Sequence, residues 1–344
     1  MILFQSDYLE GAHPLILERL MQTNMEQTPG YGADDYCKIA ADKIRSLCEA
    51  DKAEVHFMVG GTQSNLTVIG ALLRSYQGVI CADTGHINVH ETGAIEATGH
   101  KVLGLPCEDG KLTAAQVKEY YYNHMNDSNR EHIVQPGMVY ISNPTELGTI
   151  YTRMELEALY KVCSQCGLYL FMDGARLGYG LKAPDNDLTM VDIARNCDVF
   201  YIGGTKVGAL FGEAIVISNP ALQKDFRYYM KQRGGMLAKG RLLGLQFDTL
   251  FTDDLYFRIA GHAIELAEEL RGAFKRKGIA FLVENHTNQL FPVLHDEQIA
   301  YLGERFGFSY ERRVDECHSA VRFCTSWATK AEDVQTLIEA IENL

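Results

Sequence analysis

The 344 residues are enough for one large domain and a smaller one, and 47% hydrophobic against 22% charged residues is the composition of a chain that folds throughout. A formal net charge of -13 and a pI near 5.3 argue against a sequence-independent grip on nucleic acid, which needs an excess of Lys and Arg to displace counterions. No uninterrupted apolar stretch is long enough for a bilayer span and Asp7 breaks the opening residues before a secretion signal forms, while nine scattered cysteines fit a reduced, cytoplasmic compartment.

From Val55 to about Ser218 short apolar runs alternate with amphipathic stretches, the pattern of a mostly parallel α/β sheet. The first run, Val55 to Val59, leads into Gly60-Gly61-Thr62-Gln63-Ser64-Asn65 and a helical periodicity over Thr62 to Tyr76, with Thr62 as N-cap. Glycines permit a tight turn, and the free amides of a helix start can hold a phosphate, although a plain strand-to-helix turn reads the same way. No Gly-Lys-Ser/Thr ending and no G-x-G-x-x-G is present.

The run Val79 to Ala82 is followed by Asp83-Thr84-Gly85-His86-Ile87-Asn88-Val89-His90-Glu91. His86, just past a strand end, could cover the face of a flat cofactor ring. Because Glu91 follows the second histidine of the pair, the H-E-x-x-H zinc pattern is missing, so no metal is expected and His90 reads as a satisfied structural histidine. After Met138 to Ser142 comes a helix over Arg153 to Cys166 with Thr152 as N-cap, whose Cys163 and Cys166 have redox or zinc spacing but no second pair, and are expected to be structural.

The run Leu168 to Met172 ends abruptly in Asp173, with Arg176 three residues on; Val199 to Ile202 ends in Gly203-Gly204-Thr205-Lys206; Ala214 to Ser218 closes the series. Beyond Asp253 the pattern changes to a long helix through about Arg276, short strands near Gln289 to Leu294 and Ala320 to Cys324, and a last helix from Ala331. Residues 1–248 are therefore expected to form the large domain and 249–344 a smaller α+β domain.

In open α/β sheets ligands collect at the carboxyl ends of the strands. An Asp in that place can keep the pyridine nitrogen of pyridoxal phosphate protonated, and a lysine among small, partly desolvated neighbours can lose its proton and form an imine. Capping or an ion pair with Arg176 would also account for Asp173, and a Lys in a Gly-rich loop is usually a solvated charge. Asp173 after one strand and Lys206 after the next is a combination those readings leave unexplained.

Taken in order, GGTQSN at 60 to 65, GHINVHETGAIEATGH at 85 to 100, MDGARL at 172 to 177, GGTK at 203 to 206 and VRFCTSWAT at 321 to 329 resemble the L-threonine aldolases, within the aminotransferase-like fold type I of pyridoxal-phosphate enzymes. The resemblance runs from Ser6 to about Trp327. It implies a large domain with a mostly parallel central sheet plus a smaller C-terminal domain, and a carbon-carbon lyase that cleaves L-threonine or L-allo-threonine to glycine and acetaldehyde; another fold type I reaction, β-elimination or transamination, is the alternative.

It implies pyridoxal 5'-phosphate as cofactor, with Lys206 as the imine-forming lysine, Asp173 on the pyridine nitrogen and His86 stacked on the ring. Gly61, Thr62, Gln63 and Thr205 fall among the cofactor-holding positions, while Ser6, Arg176 and Arg322 surround the substrate carboxylate or the cofactor. For the β-hydroxyl proton His86 is the first candidate base and His132 a distant second. A phosphate contact from Arg233 or Lys239, reaching a neighbouring subunit, is a looser implication, as is a homodimer or homotetramer with sites at the dimer interface. The partner is a small amino acid, with neither nucleic acid nor membrane involved.

Overall fold

The computed structural model describes residues 1–344. Its centre is a seven-stranded sheet in the order Glu54–Met58, Glu213–Ile217, Val199–Gly203, Tyr169–Asp173, Gln135–Ser142, Gln77–Ala82, Val102–Leu105. The ladders are parallel except for the two made by Glu213–Ile217, which runs against both neighbours. Every residue of Val199–Gly203 and Glu213–Ile217 is buried, as expected of central strands covered on both faces.

Alternate side chains feed two cores. Ile80, Phe200, Ile202 and Val216 belong to a 45-residue core on one face, and Val79, Phe171, Tyr201 and Ile215 to a 19-residue core on the other. The edge strand Val102–Leu105 is absent from the sequence expectations because it is four residues long, contains Gly104 and is half exposed, so it carries no run or alternation to read.

The helix Arg153–Cys166 shows how the local signals act. Leu156, Leu159, Cys163 and Cys166 are buried at helical spacing, Gly167 ends the helix at φ 67°, and Thr152 and Glu155 form a reciprocal capping box at its start. The two cysteines pack in the large core, where burial pushes both thiols above their ordinary range. Thr152→Ala should cost about 1 kcal/mol of stability, read as a lower urea midpoint with unchanged slope. For the helix Gly61–Leu72 the expectation is corrected: its N-cap is Gly60, not Thr62, and no side chain caps it.

The long helix Leu255–Arg276 joins the two regions. Ala260, Ala263 and Ile264 pack in the large core, whereas Leu266, Leu270 and Phe274 enter a separate 17-residue core with Leu290, Phe323 and Leu337. The N-terminus contributes there too: Phe4 is in that core, and Ile2–Leu3 pairs in parallel with Phe306–Gly307. Ser6 and Asp7 are thereby carried toward the large sheet. No helix is long and apolar enough to cross a membrane.

Candidate active site

Asp173 is the last residue of its strand and stands opposite Ser142 in the neighbouring one. Its carboxylate is buried and held by three donors: Tyr140 donates its hydroxyl at 2.5 Å and Asn65 its amide at 3.2 Å to Oδ2, and the Ala175 N–H donates to Oδ1 at 2.9 Å. Burial favours the neutral acid, but the His86 charge and these hydrogen bonds outweigh it and hold the group below its ordinary value, so an anion persists here.

Lys206 follows the next strand through two glycines. A Cβ on Gly203 would run into the Ala175 carbonyl, and one on Gly174 into the Tyr201 carbonyl, so the Asp173 and Lys206 turns touch backbone to backbone. Tyr179 donates to the Lys206 carbonyl at 2.5 Å and Tyr256 to that of Gly203 at 3.0 Å, fixing the turn. Burial and then Arg176 pull the Lys206 amine below its ordinary value against Asp7, Asp173 and Glu213, the direction that favours a neutral, nucleophilic amine.

His86 opens the short helix His86–Val89. Its Nδ1 lies 2.8 Å from Glu91 Oε1, which also accepts from Asn65 Nδ2 at 2.7 Å, so a continuous chain runs from buried Asp173 through Asn65 and Glu91 to the half-buried His86. The His86 backbone N–H donates to Glu146 Oε1 at 2.9 Å, and Ser142 donates to the same oxygen at 2.7 Å. His90 is not a satisfied structural histidine: it is exposed, its ring 5.6 Å from that of His86, because the short helix ends there and leaves its side chain outside the core.

Gly61, Thr62, His86, Asp173, Arg176, Thr205 and Lys206 line one cavity of about 340 Å³. Arg176 is clamped by Asp7 through two hydrogen bonds, Nε to Oδ2 at 2.7 Å and a terminal nitrogen to Oδ1 at 3.0 Å. Asn288 also donates to Asp7 Oδ2, at 2.9 Å. Gln63 turns away from the cavity, accepting from the Val59 N–H at 3.3 Å and donating to the Arg233 carbonyl at 3.0 Å. Ser6 is buried beside Asp7, and Arg322, on His318–Cys324, donates to the Gln5 carbonyl at 3.3 Å while its Nε has no partner.

Lys239 borders a separate groove with Leu20, Glu26 and Arg241. His132 is exposed in a turn before the amino end of Gln135–Ser142, the opposite end of the sheet from the cavity, so it is not a base for this site. Residues to which the sequence reading gave no role also line the cavity, among them Tyr8, Ser142, Glu146, Tyr201, Phe211 and Glu213.

Residues 4–297 match the family model described as beta-eliminating lyase. The low specificity L-threonine aldolase of Pseudomonas aeruginosa is 33% identical over 341 residues, 98% of this chain and 96% of that protein. The solved threonine aldolase of Leishmania major superimposes with a TM-score of 0.97 at 45% identity, covering 100% of this chain and 99% of the other. A Thermus thermophilus aspartate aminotransferase, at 13% identity and a TM-score of 0.72 over 100% of this chain and 91% of its own, shares the fold. With its mostly parallel sheet and smaller C-terminal region the architecture is the aminotransferase-like fold type I, and the chain belongs to the beta-eliminating lyase family and, within it, to the threonine aldolases.

Proposed function

We infer that this chain cleaves the Cα–Cβ bond of 3-hydroxy amino acids, L-threonine and L-allo-threonine, to give glycine and acetaldehyde, using pyridoxal 5'-phosphate carried by Lys206. The observation that carries the reading is the convergence of Lys206, Asp173, His86 and the Gly60 to Thr62 turn on one cavity. The residues fit that cofactor. An uncapped helix start leaves N–H groups for a phosphate, a persistent carboxylate suits a protonated ring nitrogen, and a lysine of lowered pKa suits imine formation. When bound, the cofactor supplies an electron sink for the charge left on Cα.

The protein's own contributions follow from the geometry. Asp173 holds the proton on the ring nitrogen, and its three donors keep it ionised and aimed. His86, oriented by Glu91, removes the β-hydroxyl proton as the bond breaks. A guanidinium recognises the substrate carboxylate through paired hydrogen bonds; Arg176 is preset by Asp7, and Arg322 keeps an unpartnered Nε for the purpose. Ser6 lies beside this pair. Assembly as a homodimer or homotetramer belongs to the same reading, supported by the exposed apolar side chains Leu15, Leu17, Met21 and Met25.

The test is acetaldehyde release from the cofactor-loaded protein given L-threonine and, separately, L-allo-threonine. Equimolar acetaldehyde and glycine are expected. Pyruvate from serine, or amino transfer to a keto acid, with no acetaldehyde from either substrate would overturn the reading.

A further inference from the structure

Glu213 is a buried acid for which the reaction above has no use. It begins the one strand that runs against its neighbours, so its first residue lies where theirs end. In the two ladders it faces Met58 and Gly203, the last residues of the strands that lead into the Gly60 to Thr62 and Thr205 to Lys206 turns. The antiparallel strand thus sets a carboxyl group between the turn that the proposed function assigns to the phosphate and the turn that carries Lys206. Only 4% exposed, it lines the cavity, and its hydrogen-bond partners are both donors, Thr205 Oγ1 to Oε1 at 2.9 Å and the Gly204 N–H to Oε2 at 3.2 Å.

We infer that Glu213 stands in the site as the neutral acid and donates its proton to the cofactor phosphate, acting as a member of the phosphate-holding set with Gly61 and Thr62, and that Thr205 and Gly204 hold it in place. This rests on the reading that the cofactor is pyridoxal phosphate. An ionised carboxylate in this position would repel a phosphate dianion, whereas the acid keeps lone pairs for Thr205 and Gly204 and has one O–H left to give. Lys206 and Asp173 face it with opposite effects, and the phenols of Tyr201 and Tyr256 are also in range. Burial dominates and, with Asp173, pushes the carboxyl up to about 8 against Lys206 and the hydrogen bonds of Thr205 and Gly204.

The sign is fixed by which form binds. Phosphate affinity is full below the raised pKa and falls as pH rises through it, in proportion to the protonated fraction. The experiment measures dissociation constants of pyridoxal phosphate and of pyridoxal, which lacks the phosphate, between about pH 7 and pH 9, where the phosphate is already dianionic. Imine formation with Lys206 is common to both ligands, so their ratio isolates the phosphate.

The advantage of pyridoxal phosphate over pyridoxal should shrink by about tenfold across this range in the native protein and stay level in Glu213→Gln, whose amide donates at every pH. A level ratio in the native protein, or an undiminished slope in Glu213→Gln, would overturn the inference while leaving the cofactor reading intact. Failure of pyridoxal phosphate to bind or to shift the absorbance would instead remove the cofactor reading, and the inference with it.

Discussion

Lys206→Ala is expected to lose the absorbance of the lysine-bound cofactor completely and to lower L-threonine turnover by about 10⁴-fold or more, since the remaining groups act only on what this lysine holds. Charge and bond making can be separated with Lys206→Arg. A guanidinium keeps the positive charge but does not give up its proton, so it forms no imine, and this variant should be as inactive as the alanine one. The alanine variant should keep the fold: the backbone at this position is held by Tyr179, and burial already disfavours the charged amine that it removes. Retained lysine-type absorbance in Lys206→Ala would take the imine role away from this residue.

Much of this arrangement is legible in the sequence because parallel α/β sheets place chemistry directly after strands. Asp173, the Gly203 to Lys206 turn, the Gly60 to Thr62 turn and His86 all follow apolar runs, and all line the cavity. What escaped the reading did so for identifiable reasons. Glu213 precedes a run instead of following one, and the strand direction that brings it to the site is not encoded in apolar periodicity. Asp7 reaches Arg176 across 169 positions, through an N-terminus whose Phe4 is buried in the second core. Glu146 and Ser142 lie outside the motifs that carry the resemblance, so it gave them no role to transfer.

Two local readings failed through limits of residue preference. Thr62 is a favoured N-cap residue, but the chain is already helical at Gly61, so Thr62 lies inside the first turn, the cap falls on Gly60, and the Gly60 to Thr62 turn lines the cavity. The reading of His90 as a satisfied structural histidine fails because the short helix ends at this residue and leaves it exposed, whereas His86 is held through Glu91 and Glu146.

That asymmetry sets up the second large effect. His86→Asn should lower turnover by about 10²- to 10⁴-fold, the range for loss of a positioned general base, with a smaller change in KM because the carboxylate-binding groups are untouched. The pH dependence shows whether Glu91 positions this histidine. Burial pulls His86 down, but the hydrogen bond to Glu91 and the charges of Asp173 and Glu91 outweigh it and leave the imidazole above its ordinary value, with Lys206 a smaller opposing influence.

A base is lost as it protonates, so the acidic limb of the kcat/KM profile should fall through this raised value. Glu91→Gln removes the anionic partner while keeping an acceptor for the ring and for Asn65, so the limb should move to lower pH and the plateau should drop less than in His86→Asn. An acidic limb at the same pH in Glu91→Gln would assign that ionisation to another group, and a plateau unchanged in His86→Asn would remove His86 as the base and return attention to its exposed neighbour His90.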